Sequence, residues 1–258
     1  MSTFKHQLNL FYLALSFFSR LPVPKTMQYS AELLHQSNRY FSLVGIVLAL
    51  ILISFYSVAN LIFPVSISIV LVIIISLLLT GAFHEDGLAD MADGIGGGLT
   101  IEKRLTIMKD SRLGTYGTVT LVSALALKYV LLVELVNSQV FVVGLVAAYA
   151  LSRAIAASLI FDMSYVTDAN NSKSKPMAAQ QTEQDLFMLF VIGAAPLLFL
   201  PLASILAIAI ALLVFRVSFK AWLNKRIGGY TGDCLGAAQQ ISELLIYLVI
   251  VAIAGGNL

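Results

Sequence analysis

Seven long apolar runs decide what this chain can fold into. They fall at 41–62, 65–83, 119–136, 140–161, 186–200, 202–219 and 235–254. A helix needs about 20 such residues to cross the hydrocarbon core of a bilayer. Within hydrocarbon each backbone N–H and C=O must be satisfied inside the chain, which unbroken apolar runs achieve as α-helices. The sequence therefore predicts an all-α, polytopic membrane bundle of about seven spans. Hydrophobic residues make up 59% of the chain and charged residues 12%, against roughly 25% charged in soluble domains. No segment has the composition of a separate soluble unit, so 1–258 reads as a single integral-membrane domain.

The breaks are chemically marked. Pro64 and Pro201 cannot continue a helix and read as tight turns between spans. The run 186–200 is the shortest and contains Pro196. Residues 8–18 are apolar, between Lys5 and Arg20, but no small-residue cleavage signal follows. This segment reads as a retained short helix at the membrane interface. Cys234 is the only cysteine, so neither an internal disulfide nor a cysteine zinc site is available. A net charge of +2 is too mild to imply a nucleic-acid partner.

Where the charges sit is more informative than their sum. The connections divide into two alternating sets. One comprises the N-terminal segment to Arg39 and residues 84–118, 162–185 and 220–234, and it holds nearly every Lys and Arg. The other comprises the turns at Pro64, Asn137 and Pro201 and the C-terminal residues, with no Lys or Arg and only Glu134 at its margin. The positive-inside rule places the first set in the cytoplasm. One face thus carries almost all the reactive groups, as expected of chemistry at one membrane surface. A transporter would more often distribute polar groups through the membrane's depth.

The densest group is HEDGLADMAD at 84–93. Asp86, Asp90 and Asp93 are spaced i, i+4, i+7, which puts three carboxylates on one helical face. They repel one another there, and a divalent cation would reverse that sign. Hard Mg²⁺, with Mn²⁺ as a substitute, favours carboxylate oxygens together with waters and substrate phosphates. A solvated acidic helix end is the plainer alternative. His84 could ligate metal, act as a base or simply bond a carboxylate. Glu85 points about 100° from Asp86 and is a weaker candidate ligand.

Lys103, Arg104, Lys109 and Arg112 follow at once. They either neutralise the acids or clamp phosphates touched by the same metal. Gly114 and Gly117 would let backbone N–H groups join them. Lys128 lies deep in a span, where an ionisable group should face the protein interior. Arg153 lies nearer a span end and could instead snorkel to the surface. The last cluster is GGYTGD at 228–233, followed by Gln239, Gln240 and Glu243. Thr231 or Asp233 could cap the following helix, or the turn could supply a second ligand contact.

Several segments together resemble the adenosylcobinamide-GDP ribazoletransferase, or cobalamin synthase, family. They are FSRLPVP at 18–24, RYFSLVG at 39–45, GAFHEDGLADMADG at 81–94, Arg104, IMKDSRLGTYG at 107–117 and GGYTGDCLGA at 228–237. They run in family order over nearly the whole chain. Ser42 departs from the family's usual Pro. The loop at 168–184 matches nothing in the family pattern.

The resemblance implies a Mg²⁺-dependent phosphotransferase in the bacterial cytoplasmic membrane, its active-site loops facing the cytoplasm. Its substrates would be a corrinoid nucleotide donor, adenosylcobinamide-GDP, and the acceptor α-ribazole or its 5′-phosphate. GMP would leave by direct displacement at phosphorus, completing the cobalamin nucleotide loop. On this reading Asp86, Asp90 and Asp93 hold the metal, and His84 or Glu85 is the base or its support. Arg104, Lys109, Asp110, Arg112, Lys128, Arg153, Thr231 and Asp233 contact phosphates and substrate. Membrane lipid surrounds the bundle, and a homo-oligomer is compatible with it. Two other functions are open to such a sequence. A CDP-alcohol phosphotransferase would begin with an Asp-Gly-x-x-Ala-Arg motif, but Asp90 and Met91 stand where Ala-Arg would be. A divalent-cation or corrinoid carrier would need acids in several spans and function on both faces.

Overall fold

The computed structural model of the chain describes residues 3–166 and 181–255. The loop at 168–184 lies, up to residue 180, outside the described residues. Eleven α-helices account for most of what is described: α1 (Thr3–Phe18), α2 (Ala31–Ser37), α3 (Phe41–Ala59), α4 (Val65–Thr80), α5 (Phe83–Gly97), α6 (Ile101–Met108), α7 (Thr115–Asn137), α8 (Phe141–Asp162), α9 (Glu183–Ala194), α10 (Leu202–Ile227) and α11 (Gly232–Ala254). Among the described residues the only β pairing is one isolated parallel bridge, Tyr165 to Tyr230. The all-α expectation holds.

Each expected span is helical, with informative differences at the ends. Five helices are long and apolar enough to cross a membrane: α3 with the turns leading into it, α7, α8, α10 and α11. A sixth crossing is reached if α4 and α5 count as one broken span. The run 65–83 was expected to be one helix, but α4 stops at Thr80. Gly81 (φ 69°) and Ala82 (φ 57°) are both left-handed, and the chain turns by 87° into α5. Glycine accepts that conformation freely, whereas alanine in it is strained. The turn is held by Ala82 N–H donating to Leu77 O (2.9 Å) and Arg20 N–H donating to Leu79 O (2.7 Å). We assign α4 to the membrane and α5, too polar to cross alone, to the ends of the spans. The run 186–200 likewise splits. α9 begins with a Thr182–Asp185 capping box, and Pro196 confines the rest to a 3₁₀ turn, Ala195–Phe199. α10 runs past the expected end at 219 to Ile227.

The bundle is built around α8. Buried residues form 89% of its apolar stretch, against 22% in α7 and in α10. A helix apolar on all sides belongs in the interior. Small residues let its neighbours approach closely, as in membrane bundles generally. A Cβ on Gly45 of α3 would collide with the Tyr149 carbonyl of α8. On the outside, Ile67, Val70, Ile74 and Leu78 of α4 and Ile210, Leu213, Val214 and Val217 of α10 are exposed. Apolar surface of that extent is lipid-facing. The N-terminal helix α1 buries Leu10, Leu13, Ala14, Leu15 and Phe18 and packs on α2 and α3, so it lies against the bundle as well as at its edge.

Two ion pairs tie connections to spans. Arg39 meets Asp185 (2.5 Å), and Asp162 receives Arg216 (2.9 Å) and Lys220 (2.7 Å). The end of α4, all of α5 and α6, and the starts of α7 and α11 gather at one end of the bundle. The candidate site lies there.

Candidate active site

Helix α5 crosses against the first turns of α11, and the contact depends on a glycine. A Cβ at Gly87 would stand 3.0 Å from the Cα and carbonyl oxygen of Asp233 and 3.3 Å from the Cα of Gly236. No side chain fits. That close approach brings Asp233 beside the α5 acids. Asp86 is exposed, while Asp90 and Asp233 are half-buried. Burial, followed by the charges of Asp86, Asp233 and Asp93, pushes the Asp90 carboxyl up to about 7. The acids thus compete for the same protons, as closely placed carboxylates do. Asp233 was expected only as a nucleotide contact, yet it is an integral member of the acidic group.

Asp93 stands apart in what it does. It is buried, and its two oxygens accept hydrogen bonds from Gly114 N–H (2.7 Å) and Gly117 N–H (2.8 Å). It therefore anchors the first turn of α7, whose unpaired N–H groups and dipole favour an anion. This revises the expectation for Gly114 and Gly117. Their N–H groups are engaged with Asp93 rather than turned toward a phosphate. A Cβ on either glycine would run into the Asp93 carboxylate.

The basic segment divides similarly. Arg104 donates from Nε to Gly98 O (2.9 Å) and from Nη1 to Arg226 O (2.7 Å). It clamps the end of α5 to the end of α10. Arg112 is exposed and forks onto Asp110 (2.5 Å), whose carboxyl the bond holds down at about 2. Lys109 lies close enough to Asp233 to act on its charge. The two border a cavity of about 300 Å³ with Leu105, Met108, Tyr165, Val166, Thr231 and Gly232. Thr231 is the cap of α11, its Oγ1 accepting from Cys234 N–H (3.3 Å), and it donates to Asp233 Oδ2 (3.2 Å).

The remaining candidates turn inward. Glu85 Oε1 accepts from Gln240 Nε2 (2.9 Å) and faces Lys128 Nζ at 3.8 Å. Lys128 pairs with Glu243 (3.0 Å) and donates to Gln240 Oε1 (3.1 Å). Gln239 Nε2 donates to Glu243 Oε2 (2.7 Å) and to Ser152 Oγ (3.0 Å). Arg153 donates to Tyr149 O (2.7 Å). Its other face, like Glu85 Oε2, lines a cavity of about 10 Å³, room for one water. His84 is buried and stacks on Phe18 at 5.7 Å. Two cations and two carboxylates balance here, as buried charge requires. Lys128 meets the expectation of an inward-facing charge. Arg153 is buried rather than snorkelling. His84, Glu85, Lys128 and Arg153 all sit behind the acids, in the packing between α5, α7, α8 and α11.

A family model described as cobalamin-5-phosphate synthase matches residues 10–251. The chain belongs to the cobalamin-5-phosphate synthase family. An adenosylcobinamide-GDP ribazoletransferase of Vibrio parahaemolyticus is 55% identical over 97% of this chain and 95% of the relative. One from Vibrio cholerae is 53% identical over 96% of this chain and 95% of the relative. A third, from Shewanella frigidimarina, is 50% identical with the same coverage. No solved structure matches the chain. Membership of the cobalamin-5-phosphate synthase family makes this a transferase of cobalamin biosynthesis. The match spans the acidic group, the basic segment and the inward network alike. Two parts of this family member's site lacked a clear sequence signal. Gln239, Gln240 and Glu243 share a helical face that could be noticed but not partnered. Tyr165 and Tyr230 join only through the bridge between distant connections.

Proposed function

We propose that the protein joins adenosylcobinamide-GDP to α-ribazole, or to its 5′-phosphate, giving adenosylcobalamin, or its 5′-phosphate, and GMP. The observation that carries this is the convergence of Asp86, Asp90 and Asp233 across the α5–α11 contact at one end of a membrane bundle. Family membership favours it over a CDP-alcohol phosphotransferase and over a carrier.

The acids suit Mg²⁺. Among the described residues no three His, Cys, Asp or Glu side chains converge into a closed cage. Mg²⁺ does not ask for one, since it typically takes one or two carboxylates and completes its shell with water and substrate phosphate. Asp86, Asp90 and Asp233 would hold the ion, which when bound neutralises these carboxylates and draws charge from the diphosphate oxygens. Lys109 adds positive charge on the cavity side. Asp93 keeps the start of α7 fixed against α5, so the acids are presented on rigid helices rather than loops.

The reaction needs no covalent enzyme intermediate. The ribose 3′-oxygen of the acceptor bonds to the phosphorus nearest the cobinamide. The phosphoanhydride bond breaks, and GMP leaves with the bridging oxygen. The hydroxyl proton passes to an acid at the mouth, because His84 and Glu85 are held behind it. The concentration of basic residues at this end supports a cytoplasmic orientation in a bacterial inner membrane.

The test is to mix detergent-purified protein with both substrates and Mg²⁺ and measure GMP. Release that depends on both substrates and stops with a chelator is the expected result. No GMP from the parent protein overturns the assignment.

A further inference from the structure

The cavity of about 300 Å³ beside Asp233 is at the small end of ligand pockets, which run roughly 300–1,000 Å³. It has room for one nucleoside and none for a corrinoid. Resting on the reaction proposed above, we infer that this cavity binds the dimethylbenzimidazole base of the acceptor, not the guanine of the donor.

The walls argue for that choice. Leu105 and Met108 of α6 are almost fully buried, and with Val166 they present aliphatic surface to the cavity. Tyr165 adds an aromatic face. This wall is pinned by Val166 N–H donating to Tyr230 O (2.9 Å) and Tyr230 N–H donating to Ser164 O (3.0 Å), and the Tyr165 ring rests edge-on against Tyr230 at 5.5 Å. A methylated bicyclic base matches such a lining. A guanine edge would leave water for aliphatic surface, which is costly without hydrogen bonds in return. The Thr231 hydroxyl is already engaged with Cys234 N–H and Asp233. Charge agrees: Lys109 and Asp233 offset one another, which suits a neutral nucleoside better than a nucleotide diphosphate. Position agrees as well. Asp233 belongs both to this cavity and to the acidic group. A base seated between Met108 and Tyr165 therefore points its ribose toward the carboxylates, where the 3′-hydroxyl must react.

Gly232 provides the test. A Cβ there would meet nothing within 4 Å, so Gly232→Leu fills space at the cavity without striking protein. In this variant KM for α-ribazole should rise about tenfold or more, with KM for adenosylcobinamide-GDP within about twofold of the parent. Tyr165→Ala should shift the same constant in the same direction. A donor KM that rises as much or more, or no change in either, overturns the inference. Equilibrium dialysis with α-ribazole alone separates the pocket from the reaction. Binding by the parent that weakens in Gly232→Leu supports the inference even if no GMP forms. Equal binding by both proteins overturns it.

Discussion

Gly87 of α5 lies so close to Asp233 of α11 that a methyl group on the glycine would stand 3.0 Å from the aspartate's Cα. This contact sets the distance between the two sources of acidic side chains. Gly87→Ala raises local helix propensity by about 1 kcal/mol, so a purely local view expects a neutral or stabilising change. We predict instead that α5 and α11 separate and turnover falls by roughly 100-fold or more, since small misplacements cost that much. Steady-state GMP release by the purified variant checks this. Parent-like turnover would mean that the contact does not position the site.

Asp90 lies at the centre of the acidic group, with Asp86, Asp233 and Asp93 all acting on its charge. Asp90→Asn should insert and purify normally but lose about 10²–10³ in kcat, the scale of a lost electrostatic contributor in a transition state. Mg²⁺ should also bind more weakly, as titration of the purified variant would show. Full activity in Asp90→Asn at limiting Mg²⁺ would remove this residue from the metal site.

Asp93 should behave differently from Asp90. Its carboxylate accepts two backbone N–H groups at the start of α7, and hydrogen bonds to a charged group contribute about 1.5–3 kcal/mol each. Asp93→Ala is expected to lower thermal stability in detergent and to raise protease sensitivity near residues 109–117. A variant as stable as the parent yet inactive would show that Asp93 serves chemistry rather than anchoring.

Lys128 is the shared partner of Glu243 and Glu85. Lys128→Met leaves both carboxylates buried without their cation, a loss expected to cost roughly 3–5 kcal/mol. The double variant Lys128→Met/Glu243→Gln should recover part of it, because one stranded charge is removed with its partner. Thermal unfolding of the three proteins in one detergent measures the coupling. Additive effects would show that the pair does not act as a unit.

Arg104 illustrates why part of the site was not legible beforehand. Next to an acidic cluster, an arginine reads naturally as a phosphate clamp. Its two bonds instead go to the carbonyls of Gly98 and Arg226, the second of them 122 residues away. Arg112 shows the opposite outcome, an exposed group whose nearest acid is its own neighbour, Asp110. Both are cations in one short segment, and composition cannot tell them apart. Asp93 is a similar case, since i, i+7 spacing aligns it with Asp86 yet it is occupied by backbone from the next helix.

The sequence by itself determined the solvent, the class of fold and the end of the molecule that matters. Apolar runs of bilayer length leave the backbone no alternative to helices, and the separation of basic from uncharged turns marks one end. The order of motifs identified the family. Only the tertiary structure decided which acids work together. Spacing along one helix reports its own faces, so Asp86 and Asp90 could be paired from sequence. Asp233 comes from a helix about 140 residues later and enters only because glycine lets two backbones nearly touch. The inward placement of His84, Glu85, Lys128 and Arg153 was decided in the same way: a buried charge settles where its partners are, and those partners sit on other helices.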